Sequence, residues 1–134
     1  MLRKDFLVRQ IEDFGKAMAL ILGYKKIKDF EKYEKEMADT FNKFTALQLI
    51  SVENMSLQDF ENSILKVDEL IPDQKKILGD LLYEKMMYYH EFFPSHNISM
   101  LKQKCILLYK NYQDSLTQNE FNLDVHYKLE ILNQ

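Results

Sequence analysis

The stretch FEKYEKEMADTFNKF, residues 30–44, decides the fold class. Phe30, Tyr33, Met37, Phe41 and Phe44 recur at steps of three and four, while Glu31, Lys32, Lys35, Glu36 and Lys43 fall on the other side. That is the period of an α-helix with one aromatic face to bury and one solvated face.

The same period extends outward in both directions. Upstream, Leu7, Ile11, Phe14, Met18 and Ile21 form a stripe that Leu22 widens, with Gly23 placed to cap it, so the first helix is expected over about residues 3–22. Downstream, Ser56 begins an S-x-x-D cap before Phe60, Ile64 and Leu65, which predicts a short third helix. Pro72 suits a helical first turn and disfavours a helical Ile71 before it. From there Ile77, Leu78, Leu81, Leu82, Lys85, Met86 and Tyr89 give a fourth helix that ends near Phe93-Pro94. A fifth reads from about Ile98 to Ser115, with Leu101, Cys105, Leu108 and Tyr112 on one face. Thr117 and Glu120 have capping-box spacing ahead of a last stripe of Phe121, Val125, Leu129 and Leu132. About six helices with short connections predict an all-α single domain over residues 1–134, built as three stacked helical hairpins with the fourth helix most buried.

Composition agrees. Hydrophobic residues make up 46% and charged residues 29%, a globular balance, and only three Gly and two Pro interrupt the chain. Eleven basic and eleven acidic side chains in residues 1–67, against seven and ten in 68–134, leave neither half a cationic footprint for nucleic acid. Asp5, Glu12 and Asp13 break up any leader-type apolar run, and no stretch approaches the length of a membrane span. The lone Cys105 allows no intramolecular disulfide, which suits a reducing, cytoplasmic setting.

Chemistry-bearing patterns are sparse. The histidines, His90, His96 and His126, do not stand at the i, i+4 spacing of a helical metal pair. Cys105 sits on an apolar face, where it reads as a small hydrophobe. Glu31, Glu34 and Glu36, or Asp68 and Glu69, read as charges on solvated faces, and Lys25, Lys26 and Lys28 as a solvated turn. There is no phosphate-loop, dinucleotide or nucleophile-elbow motif. No catalytic, cofactor or metal position is nominated. The segment Tyr83–Phe93 is different: Met86, Met87, Tyr88, Tyr89, His90, Phe92 and Phe93 crowd one helix, either as the lining of an adaptable groove or as a helix buried on two sides. Met86, Tyr89 and His90 are its candidate binding surface.

The opening Met1-Leu2-Arg3-Lys4-Asp5-Phe6-Leu7-Val8-Arg9-Gln10-Ile11-Glu12 resembles the start of an uncharacterised bacterial helical protein family that begins M-x-R-x-D-[YF]-[LI]-x-R-x-I-E. Ile21-Leu22-Gly23 stands where that family's first helix ends, and Lys32-Tyr33-Glu34 looks like its K-Y-E at the start of the second. The resemblance implies no activity. The C-terminal half resembles tetratricopeptide repeats: Leu78-Gly79-Asp80-Leu81-Leu82-Tyr83 is one residue longer than L-G-x-x-Y, and Cys105 and Tyr109 fit the later small-then-aromatic pair. Tyr112 stands where a second small residue belongs. This likeness implies tetratricopeptide-like hairpins, or an irregular bundle, with a concave face for a peptide or helix.

The expected function is therefore a non-enzymatic protein-protein interaction or scaffold module, with a protein or peptide partner and without nucleic acid or membrane. The alternative is a small-molecule-binding or catalytic helical domain using a Met/Tyr-lined pocket around the fourth helix. Phe6, Leu7, Val8 and Ile11 place apolar groups on more than one face of the first helix, so a homodimer is compatible with either.

Overall fold

A computed structural model describes residues 2–66, 70–117 and 120–134, with side chains from residue 5 onward. Asp68 and Glu69 lie outside the described residues. The described chain is all-α, with no strand among those residues. Its helices are α1 (Leu2–Lys26), α2 (Phe30–Thr45), α3 (Leu49–Asn54), α4 (Leu57–Phe60), α5 (Pro72–Phe92), α6 (Ser99–Ser115) and α7 (Leu123–Leu132). α4 runs directly into a single π turn over Glu61–Leu65. The helix beyond the expected six is α3. The chain divides into two compact units, Met1–Leu49 and Ile50–Gln134.

The first unit is the α1/α2 hairpin. Tyr33, Met37, Phe41 and Phe44 of α2 are buried, as their spacing predicts, while Phe30 is half-buried. α1 runs four residues past the expected end, because Gly23 does not adopt the left-handed conformation that would cap it. Lys28 does, at φ 60°. Its N–H donates to the Lys25 carbonyl at 3.1 Å, and the Asp29 N–H reaches the Tyr24 carbonyl at 3.0 Å, which together close α1 as a Schellman motif. Asp29 then caps α2 by accepting the Lys32 N–H at 3.3 Å. One residue thus ends one helix and begins the next, which makes the hairpin tight. Phe14 meets Phe44 edge-on at 5.5 Å between ring centres. Phe6, Arg9, Gln10 and Asp13 of α1 line a cleft with Lys43 and Phe44 of α2. Phe6, Val8 and Ile11 are exposed at 64%, 47% and 54%.

In the second unit α5 is central, with more buried residues than any other described helix, as expected. Ile71 is extended, Pro72 opens the helix, and the Gln74 side chain turns back to accept the Ile71 N–H at 3.1 Å. Ser56 accepts the Asp59 N–H at 3.1 Å and starts α4, which buries Phe60 and, in the π turn, Ile64. α6 begins within a residue of its expected position and buries Leu101, Cys105, Leu108 and Tyr112.

The helices pair differently from three successive hairpins. α5 pairs with α6 across the Phe93–Ile98 connection, while α4, its π turn and α7 all pack on α6. The start of α7 also differs. Glu120 does accept the Thr117 N–H and hydroxyl, at 3.1 and 2.7 Å, but the helix begins only at Leu123, capped by Asn122, which accepts the Val125 N–H at 3.0 Å. Phe121 consequently lies before the helix and is exposed, while Val125, Leu129 and Leu132 are buried.

Two left-handed residues carry side chains, Lys28 and Ala46 at the end of α2. A Cβ in this conformation costs roughly 1–2 kcal/mol, of which glycine's larger unfolded-state entropy takes back part. Lys28→Gly and Ala46→Gly should each stabilise the protein by about 0.5–1 kcal/mol, measured as an increase in the urea midpoint. A lower midpoint for either variant contradicts this account of the helix ends.

Candidate functional site

The three candidate positions on α5 do not act together. Met86 and His90, one turn apart, line a groove of about 210 Å³ with Met87, Ile98, Lys102, Ile131 and Leu132. Tyr89 lies outside it. Its ring stacks on His96 at 3.9 Å and 16°, and its hydroxyl donates to Glu53 at 3.2 Å. Tyr89 therefore fastens the Phe93–Ile98 connection and α3 to α5. Met86 is buried, so what the groove presents is one wall of the core with an exposed His90 at its margin.

The strongest convergence of polar groups lies nearer the start of α5. Asp80, 7% exposed, accepts from the Tyr109 hydroxyl at 2.6 Å, from Lys76 at 2.8 Å and from Lys128 at 3.1 Å. Lys128 also holds Asp124 at 3.1 Å, and its ammonium lies 5.2 Å from the centre of the Tyr83 ring. The network joins α5, α6 and α7. Gly79 makes it possible, because a Cβ there would come within 3.0 Å of the Tyr109 ring. Burial, the Asp80 charge and the hydrogen bond to it push the Tyr109 phenol well up. Burial raises Tyr83 against the opposing pull of Lys128, and burial with the Asp80 charge raises the Cys105 thiol far above its ordinary value. Cys105 is therefore held as an unreactive thiol. For Lys128, burial opposes the charge but Asp80 and Asp124 outweigh it, and the ammonium is raised.

Other lysines of this unit cap short helices. The completely buried Lys104 donates to the carbonyls of Val52 and Glu53 at 2.8 and 2.9 Å, in the last turn of α3. Lys75 donates to the Leu65 carbonyl at 3.2 Å, where the π turn ends, and to Asn111 at 3.1 Å. Each supplies a donor to carbonyls that a helix end leaves without an internal partner. Burial lowers the Lys104 ammonium, with Glu53 opposing the shift.

α7 presents a second apolar face that the sequence reading missed. Leu123, Tyr127 and Ile131 stand one turn apart, exposed at 56%, 57% and 49%, opposite the buried Val125, Leu129 and Leu132. Ile131 joins this strip to the groove. The available signal was that α7 carries two apolar stripes, Leu123, Tyr127 and Ile131 besides Val125, Leu129 and Leu132, of which a ten-residue helix at a domain surface buries one.

Among the described residues no group of three or more His, Cys, Asp or Glu is placed to hold a metal ion, and no helix is long and apolar enough to cross a membrane. No family model matches the chain, and neither a curated protein nor a solved structure does.

Removing one partner of a buried ion pair costs about 3–5 kcal/mol. Asp80→Asn should therefore destabilise the second unit by about 3 kcal/mol and speed amide hydrogen exchange first in α7; unchanged exchange there would show that the network does not hold that helix. The pH dependence has a definite sign. Tyr109, Tyr83, Cys105 and Lys128 all have raised folded values, so their contribution is complete below the unfolded values and is lost as pH rises through the folded ones. The unfolded values lie at about 8.5 for the thiol and about 10 for phenol and ammonium. Lys104, lowered, has the opposite sign but stands alone against four. The urea midpoint should fall progressively above about pH 8.5, and less steeply in Tyr109→Phe. A midpoint level to pH ~11 would contradict this assignment.

Proposed function

We propose that the chain is a non-enzymatic protein-interaction module that docks a partner on the outer face of α7. The observation that carries this reading is the strip of Leu123, Tyr127 and Ile131, three large apolar side chains exposed side by side and continuous with the groove beside Met87 and Ile98. Single exposed apolar residues are ordinary, whereas a contiguous strip on a rigidly anchored helix is a surface worth covering. The mixture of Met and Tyr gives it adaptable and amphipathic contact groups. The groove is smaller than the roughly 300–1,000 Å³ of small-molecule sites, and Tyr89 points away from it. Both facts weigh against the Met/Tyr pocket as a ligand or catalytic site. The Asp80 cluster has its groups turned on one another, as suits an anchor for α7.

The test compares tagged wild-type protein with the variant Leu123→Ser/Tyr127→Ser/Ile131→Ser in affinity purification from cells. These exposed positions should change stability by only about 0.5 kcal/mol each, which circular dichroism would verify. The expected result is a stoichiometric protein partner that co-purifies with the wild type and is absent from the variant. An identical set of co-purifying proteins for both would overturn the reading.

A second reading, self-association through α1, is favoured by the exposed Phe6, Val8 and Ile11 in its first turns. It requires a dimer in sedimentation velocity that Phe6→Ser/Ile11→Ser abolishes. A monomer at all concentrations would remove it.

A further inference from the structure

We infer that the partner of the α7 face is a basic amphipathic helix, one that sets apolar residues against Leu123, Tyr127 and Ile131 and carries Lys or Arg on its flanks. The inference rests on the docking reading above and adds the charge and shape of the occupant.

The argument starts from where the second unit puts its charges. Residues 50–134 contain thirteen acidic and eight basic side chains. Five of the eight turn inward: Lys75, Lys85 and Lys104 are buried, and Lys76 and Lys128 are drawn to Asp80 at 2.8 and 3.1 Å. Among the described residues of this unit, Lys66 and Lys110 are the exposed lysines, against six exposed carboxylates. Capping helix ends and anchoring α7 have taken the cations off the surface. Asp80 and Glu84 are buried as well, so over the described residues of this unit, eleven acidic and eight basic, burial removes two and three, and the exterior keeps an acidic excess.

The same holds locally. On α7, Asp124 adjoins Leu123 on one side of the strip and Glu130 adjoins Ile131 on the other, with side-chain exposures of 55% and 60%. Glu91 is exposed beside His90 at the end of α5, and Glu120 before the helix. Asp124 is shared by Lys128 at 3.1 Å and Lys76 at 3.6 Å, the His126 imidazole meets Glu130 at 3.0 Å, and Lys102 reaches the Gln134 carbonyl at 3.3 Å, so the acidic excess along the strip comes from Glu130 and the exposed Glu91 and Glu120. An apolar strip between carboxylates complements an apolar stripe between ammonium or guanidinium groups, which is the helix-in-groove mode with electrostatic steering.

Shape and charge exclude the other occupants. The strip runs along a helix of ten residues, about 15 Å, which matches two to three turns of a partner helix. Two copies meeting symmetrically would oppose Asp124 and Glu130 with their own counterparts. An anionic lipid surface is repelled by the same carboxylates.

The experiment displays a library of helical peptides of about 15 residues, four turns, with Leu fixed at i, i+4, i+7 and i+11 and Lys, Glu or Gln at every other position. The chain of residues 1–134 is the bait, and the Leu123→Ser/Tyr127→Ser/Ile131→Ser variant is the control. The expected result is a pool enriched in Lys over Glu on the wild-type bait alone. Its best peptide should weaken by roughly tenfold from low to moderate salt and severalfold on Glu130→Gln. A neutral or acidic pool selected by the wild type but not the variant would overturn the basic partner while leaving the docking face intact. Equal enrichment on both baits, or none on either, would overturn the inference and the docking face together. A dimer of the protein alone, lost in the triple variant, would make a second copy the occupant and refute the inference.

Discussion

Asp80 is a carboxylate buried among three helices, and the placement of α7 depends on it. At ten residues α7 is shorter than the ~12–15 residues an isolated helix needs in water, so its helicity comes from docking. Burying Val125, Leu129 and Leu132 is worth about 1.5–3 kcal/mol each as an upper bound, which is enough to hold the helix against α6. The ionic contact adds direction. Tyr109, Lys76 and Lys128 approach the two carboxylate oxygens from different helices, and the desolvation that would make a lone Asp80 prohibitive is met by three donors. Gly79 sets the distance at which Tyr109 can do this.

The buried lysines follow from a related constraint. A helix as short as α3 leaves more carbonyls unpaired at its end than it makes internal hydrogen bonds, so α3 and the π turn after α4 require donors from elsewhere. Lys104 on α6 and Lys75 on α5 supply them with long side chains whose methylenes pack in the core while the ammonium reaches the carbonyls. The arrangement satisfies the helix ends, stitches irregular elements to the α5/α6 hairpin, and shifts the surface charge toward acid. A structural requirement of the interior thereby determines the electrostatics of the exterior.

How much of this was legible in the sequence divides along the same line. Signals carried within one turn could be read: the stripe from Tyr33 to Phe44, the Ser56 cap, Pro72 as a helix start, the α6 boundaries and the inert burial of Cys105. Signals that depend on tertiary partners could not. Lys28 closes α1 in a conformation that composition assigns to glycine, so the reading stopped at Gly23. Asp80, Lys104 and Lys75 look like the polar positions of amphipathic helices until α3, α4 and α7 pack against them. Of the proposed surface, Met86 and His90 were found because Met and aromatic residues cluster there, and Tyr89 was grouped with them by proximity in sequence alone. The strip on α7 was missed because Val125, Leu129 and Leu132 already accounted for one good stripe.

That second stripe raises a problem of specificity which the ion pair resolves. A helix with apolar residues on opposite faces can satisfy the hydrophobic effect by burying either one, since Leu123, Tyr127 and Ile131 offer at least as much apolar surface as Val125, Leu129 and Leu132. Area alone leaves the rotation of α7 ambiguous. Lys128 sits beside the second set, and turning the helix over would carry its ammonium away from Asp80 and leave that buried carboxylate one of its three donors short. Buried polar groups that contribute little net stability can select one packing among several of similar energy. Here the selected packing keeps the larger, tyrosine-bearing face outward, between Asp124 and Glu130, so the buried ion pair determines which side of α7 faces outward.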